Sequence, residues 1–179
     1  MLKRVRRRRL SIGRAIILRS FIEQYGWQFG AELGVLRGDT LVDLLEHCHD
    51  LHMIGVDAWS DKHYLGKRSP EEFHKMVRDA VRPFDNRVEL MKMTTVEAAS
   101  YFDDCIFNFV FIDADHSLEG VTADIIAWSP KVRKDGWIIG HDYQRRFPGV
   151  IQAVNEYFPN ARKMSDSVWA CPRAESSFS

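Results

Sequence analysis

The sequence predicts an α/β domain: a doubly wound, mostly parallel sheet with helices on both faces and an antiparallel hairpin at its C-terminal end. Three observations carry this. Apolar runs of strand length alternate, from Gln28 to Phe158, with segments whose apolar residues recur at helical spacing. One run, Phe107–Asp113, is apolar on both faces except at Asn108, as a central strand covered from either side must be. The residues just beyond each strand are unusually polar, and the carboxyl ends of the strands are where such sheets bind ligands.

The elements follow in order. Ser11–Phe21 reads as a helix carrying Ile12, Ile16 and Ile17, either a lid over the site or plain packing on the sheet. Gln28–Val35 is the first strand, with Phe29, Ala31, Leu33 and Val35 alternating. Thr40-Leu-Val-Asp43 has the form of a capping box, and Leu41, Leu44, Leu45 and Cys48 then fall on one helical face. Met53–Ala58 is the second strand. Ser69-Pro-Glu-Glu72 opens a helix with Pro in its first turn and Phe73, Met76, Val77 and Ala80 turned inward. Val88–Met93 is a third strand and Val96–Phe102 a short helix. After the central fourth strand comes a helix from about Leu118 to Trp128, ended by Pro130. Gly136–Gly140 is the fifth strand, Pro148–Phe158 a helix with Val150, Val154, Tyr157 and Phe158 inward, and Ala161–Pro172 a hairpin around Asp166-Ser167.

Composition bounds the function classes. The chain has 179 residues, 45% hydrophobic and 28% charged, which suits one packed domain and excludes a disordered or fibrous chain. No apolar run approaches the ~20 residues of a membrane span, so a soluble, cytoplasmic protein is expected. Cys48, Cys105 and Cys171 are odd in number and far apart, so they read as free thiols. The formal charge of zero conceals an asymmetry. Lys3, Arg4, Arg6, Arg7, Arg8 and Arg9 put six cations in residues 1–10, leaving nineteen against 25 acids elsewhere. Residues 1–10 are therefore expected to be a disordered basic arm, ahead of a transit peptide as the other reading, and residues 11–179 a single domain with 11–26 as its lid or packing helix. His47, His49 and His52 around Cys48 read as solvated residues at a helix end rather than a metal cluster.

Four strand ends carry chemistry-bearing residues. The first, Glu32-Leu-Gly34-Val-Leu-Arg37-Gly38-Asp39-Thr40, allows a sharp turn and close backbone approach without the full G-x-G-x-x-G pattern. The second supplies Asp57, 23 residues after Gly34, near the ~20-residue offset at which an acid meets ribose hydroxyls. The fourth and fifth end Asp113-Ala-Asp115-His116-Ser117 and His141-Asp142-Tyr143. Acids and imidazoles beyond a buried strand need partners, so these are expected to converge on one pocket.

The stretch "FVFIDADHSLEGVTADIIAWSPKVRKDGWIIGHDY", continued by "FPGVIQAVNEYF", resembles the class I S-adenosylmethionine-dependent methyltransferases, nearest to a small bacterial O-methyltransferase-like branch. "AELGVLRGDT" is similar to that superfamily's glycine-rich first motif and "IGVDAW" to its ribose-binding acid. The resemblance runs from about Phe29 to Phe158 and implies a Rossmann-like, seven-stranded sheet. It implies that Glu32, Gly34 and Gly38 line the methionine end of S-adenosylmethionine, that Asp57 accepts from the ribose with Ala58 and Trp59 beside the adenosine, and that Met93 and Thr94 flank the adenine. Asp113 would sit near the reacting methyl group. In metal-dependent members an acid at the position of Asp113 and an Asp-Asn pair after strand five hold a divalent cation. Here Asp142 is followed by Tyr143, so one ligand is missing, although Asp113 and Asp142 with waters could hold Mg²⁺.

A hydroxyl acceptor needs its proton removed as the methyl is transferred, and His116 and His141 are the base candidates, with Asp115 to orient one of them. The expected activity is methyl transfer to a hydroxyl of a small molecule. Competing readings are nucleic-acid methylation through the basic arm and an inactive methyltransferase fold that serves as a binding protein. The Trp59–Arg68 loop and Gln144–Phe147, with Arg145-Arg146, are candidate acceptor-recognition segments. Small folds of this kind often pair to complete a site, which leaves a homodimer open.

Overall fold

The computed structural model describes residues 12–60 and 68–176. The basic arm and the middle of the Trp59–Arg68 loop lie outside the described residues. The strands are β1 (Phe29–Leu33), β2 (His52–Asp57), β3 (Val88–Lys92), β4 (Phe107–Ile112), β5 (Val132–Gly140), β6 (Arg162–Lys163) and β7 (Trp169–Pro172). The helices are α1 (Ile12–Tyr25), α2 (Asp39–His47), α3 (Pro70–Val81), α4 (Thr95–Ala99), α5 (Leu118–Trp128) and α6 (Pro148–Tyr157). The strands form one seven-stranded sheet in the order β3-β2-β1-β4-β5-β7-β6. β1 to β5 run parallel, and β7 pairs antiparallel with both β5 and β6. This is the doubly wound Rossmann-like architecture, and no described helix is long and apolar enough to cross a membrane.

Alternation along the strands divides the core into two faces. Val110 and Ile112 of β4 and Ile138 of β5 join Val121, Ile125 and Trp128 of α5 and Val150 and Val154 of α6. Phe109 and Phe111 join Trp137 and Ile139 in a cluster with Leu18 and Phe21 of α1 and Leu41, Leu44 and Leu45 of α2. A period of two in the strands met by a stripe on each helix is what the sequence pattern requires.

Several expected boundaries shift, each for a local reason. β1 stops at Leu33 because Gly34 turns at φ +89°, where a Cβ would stand 2.2 Å from the Asp113 carbonyl oxygen. The Thr40 capping box does not form. α2 begins two residues earlier, at Asp39 behind Gly38, a left-handed residue whose N–H closes a turn on the Val35 carbonyl at 2.8 Å. The boxes at Ser69/Glu72 and Thr94/Glu97 do form, and the second starts α4 at Thr95, ahead of the expected Val96. β5 reaches back to Val132 across a register shift opposite Phe107 and Phe109, where it pairs before the expected Gly136. In α3 the buried stripe is Pro70, Val77 and Val81, so Met76 and Ala80 face solvent.

α1 resolves the choice between lid and packing helix into parts. Leu18, Phe21 and Ile22 are buried on the sheet, with Phe21 edge-on to Trp137 at 5.0 Å. Ile16, expected over the site, is 47% exposed. The start of the helix abuts the turn between β6 and β7, where Asp166 Oδ2 accepts the Arg14 N–H at 2.8 Å. Gly13 permits this approach, since a Cβ there would meet the Asp166 side chain at 2.6 Å.

Candidate functional site

The strand order reverses between β1 and β4, and a cleft of about 490 Å³ opens at their carboxyl ends. Hydrogen bonds from Gly34 N–H to the Val56 carbonyl, Asp113 N–H to Leu33 and His141 N–H to Ile112 tie four strand tips together at 2.8 to 3.0 Å. Glu32, Gly34, Asp57, Ala58, Thr94, Asp113, Asp115, His116 and Asp142 of the expected residues line the cleft.

Asp57 is held by backbone. Its Oδ2 accepts the Leu36 N–H at 2.8 Å and its Oδ1 the Trp59 N–H at 2.7 Å. Trp59 Nε1 donates to the Leu36 carbonyl at 3.1 Å, so the loops after β1 and β2 are latched to each other. This latch buries the Trp59 ring against His74, at 4.4 Å between ring centres, and removes it from the cleft wall. Gly38 also lies off the cleft, facing Val77 of α3. Met93 packs into the α4–α5 side of the core, which leaves Thr94 and Thr95 to line that end.

Glu32 is buried at 2% exposure, and its Oε2 has no hydrogen-bond partner. Burial pushes its carboxyl well above the usual range, while the charge of Arg14 pulls the other way. Asp124 of α5 is a second buried acid on the wall. Its Oδ1 accepts the Thr95 hydroxyl, its Oδ2 is unpartnered, and burial pushes the group up to about 7.

At the tips of β4 and β5 the side chains hold one another. His116 Nε2 stands 2.7 Å from Asp142 Oδ2, a charge contact rather than an aligned hydrogen bond, and its ring stacks on Phe147 at 4.4 Å. Gln144 Nε2 donates to Asp142 Oδ1 at 2.8 Å. His141 Nδ1 lies 3.3 Å from Asp142 Oδ1 and 3.6 Å from Asp113 Oδ1. Although 12% exposed, His141 sits behind these two acids and not on the cleft wall. Asp115 Oδ1 accepts the Ser117 N–H at 2.8 Å at the start of α5.

The carboxylates govern both imidazoles. Asp113 and Asp142 push His116 up to about 9. Burial opposes the charge on His141, but the same two acids outweigh it and raise that group to about 9 as well. Burial alone would raise Asp142, yet the two histidines and Gln144 hold it well below the carboxylate range.

Arg14 is the residue the sequence reading passed over. Its Nη1 donates to Asp113 Oδ2 at 2.8 Å and lies 3.4 Å from His141 Nδ1. The signal available was an arginine, one of two in a largely apolar helix, without the partner 99 residues away. Thr40, Thr95 and Asp124 were likewise unassigned; the first two line the cleft from the starts of α2 and α4, and Asp124 from the middle of α5.

The Asp113, His141 and Asp142 donors lie within 4.8 Å of one another, a spacing open to a cation. As arranged they do not fit one. Arg14, His116 and Gln144 stand at 2.7 to 2.8 Å from three of the four carboxylate oxygens, and a hard cation needs those oxygens at ~2.0–2.6 Å. Tyr143 offers nothing in place of the missing ligand, because its hydroxyl donates to Asn155 of α6 at 2.8 Å.

A family model described as "Methyltransferase domain" matches residues 31–143. No curated protein matches the chain in sequence. Among solved structures, an O-methyltransferase from Bacillus cereus in complex with SAH superposes with a TM-score of 0.65 at 17% identity, over 87% of this chain and 79% of that one. A cofactor-bound protein, Rv0187 from MTB, gives a TM-score of 0.70 at 14% identity, over 93% of this chain and 83% of that one. At these identities the likeness is one of fold.

Proposed function

The chain belongs to the methyltransferase-domain family, and from that premise we propose that it transfers a methyl group from S-adenosylmethionine to a hydroxyl oxygen of a small molecule in the cytoplasm. The observation that carries this reading is a single cleft with a backbone-fixed acid, Asp57, at one end and the Asp113–His116–Asp142 group at the other. S-adenosylmethionine, when bound, supplies an electrophilic methyl on a sulfonium.

The chain's own residues suit such a ligand. The Asp57 carboxylate, oriented by its two backbone bonds, is an acceptor of the kind vicinal hydroxyls need. Glu32 is an unpartnered buried acid on the cleft wall, which an ammonium group would satisfy. Thr94, Thr95 and Ala58 offer small side chains for an aromatic base. Gly34 lets the turn after β1 pack directly against the tip of β4, which shapes the floor of the cleft.

Proton removal falls to His116, which reaches the cleft and is braced by Phe147 and Asp142. Held at about 9, the imidazole is protonated at neutral pH, so the basic form becomes abundant only in alkaline solution or when added positive charge offsets the two acids. His141 supports from behind, orienting Asp113 and Asp142.

The test is calorimetric titration of the purified protein with S-adenosylmethionine, followed by a screen of hydroxylated acceptors for release of S-adenosylhomocysteine. Saturable one-to-one binding and turnover with a hydroxylated acceptor are expected. Absence of binding would overturn the reading.

A further inference from the structure

We propose that Arg14 is the resident cation of this site: its guanidinium takes the position a divalent metal would hold among Asp113, His141 and Asp142, and excludes the metal. Three metal-type donors converge at the tips of β4 and β5. Two carboxylates so close need positive charge between them. Beside the two imidazoles, whose charge depends on pH, the fold supplies a permanent one from a remote element. Arg14 places Nη1 2.8 Å from Asp113 Oδ2 and 3.4 Å from His141 Nδ1, with its side chain 25% exposed and on the cleft wall.

The delivery is built in. The start of α1 is pinned by Asp166 at the turn between β6 and β7, where Gly13 leaves room for that carboxylate and the Arg14 N–H donates to it. Arg14 therefore leaves the helix at a fixed point, and its side chain crosses to the tip of β4. Leu18, Phe21 and Ile22 anchor the rest of α1 on the sheet.

The chemical consequence is specific. A guanidinium carries a permanent charge and five N–H donors, and one carboxylate contact uses only part of them. Because Arg14 lines the cleft, the donors left over are available to an acceptor oxygen as its negative charge develops, the service a metal would otherwise give. Being covalently part of the chain, this cation needs no uptake from solution.

Mn²⁺ binding, followed by electron paramagnetic resonance and calorimetry on the full chain without cofactor, tests this. The wild type should show no saturable binding below ~1 mM Mn²⁺. Arg14→Met, which keeps the length and removes the charge, should bind Mn²⁺ at least about tenfold more tightly, and Arg14→Lys should resemble the wild type. One-to-one binding at micromolar Mn²⁺ by the wild type, lost in Asp142→Asn, would overturn the proposal. So would an Arg14→Met variant, folded by circular dichroism, that binds no better than wild type. The wild-type measurement decides even if that variant does not fold. The inference rests on the proposed function only for the place of the acceptor oxygen. Because Mn²⁺ titration involves no cofactor, its failure is separate from failure to bind S-adenosylmethionine.

Discussion

The two ends of the cleft are built in contrasting ways. At the β1–β2 end the functional acid is fixed by backbone: Asp57 accepts from the N–H groups of Leu36 and Trp59, 21 and two residues away. At the β4–β5 end the acids are held by side chains: Arg14 from α1, His116 from the loop before α5, and Gln144 two residues beyond Asp142. The first arrangement has donors that cannot titrate and one stable geometry. The second is a balance of charges that shifts with pH and with whatever binds. Under the proposed function, the first end would serve recognition and the second proton handling.

The contrast can be broken most severely at its hinge. Gly34→Ala should destabilise the fold by about 3 kcal/mol or more, because a Cβ at φ +89° meets the Asp113 backbone; a lowered urea midpoint would show it. Asp57→Ala should weaken S-adenosylmethionine binding roughly 10- to 100-fold in calorimetry, since hydrogen bonds to a charged group are lost. An unchanged affinity would remove Asp57 from the site. At the other end His116→Ala should lower turnover by about 10²-fold while leaving cofactor affinity nearly intact, and His141→Ala should act in the same sense. Equal losses in affinity and turnover would erase the distinction between the two ends.

pH sharpens the contrast. Turnover should rise with pH through about 9 as the imidazoles lose their protons, and Asp142→Asn should move that rise to lower pH by removing one of the acids that raise them. Cofactor affinity at the Asp57 end should vary less over the same range. A pH effect of another kind, on stability, concerns Asp124. Its carboxyl is held at about 7 by burial and would ionise near 3.8 when unfolded, so between those values the folded chain binds the extra proton. Stability should therefore fall as pH rises through that window, at up to ~1.4 kcal/mol per unit. Asp124→Asn should flatten this slope in thermal melts, since its side-chain oxygen still accepts from Thr95.

Legibility in the sequence followed the range of the interactions. The Ser69/Glu72 capping box, the β4 run and the α5 limits at Leu118 and Trp128 depend on neighbours within a few residues, and the structure has them where the pattern puts them. The Thr40 box matched the same kind of pattern and did not form, because the turn at Gly38 set the start of α2 first. Trp59 sits beside Asp57 in sequence yet turns inward, since its indole found the Leu36 carbonyl across the cleft mouth. Met93 lies beside Thr94 yet joins the core.

By itself the sequence determined the alternation of strands and helices, the polar strand ends and the acids among them, because periodicity, caps and glycine turns are written in short windows of chain. Only the tertiary structure decided that Arg14 meets Asp113, that His141 stands behind Asp142 and that Asp166 pins α1. The two contacts made by α1 join residues 99 and 152 positions apart, and no local pattern records them. The sheet's strand order brings them together, and it is fixed by burial of both apolar faces at once.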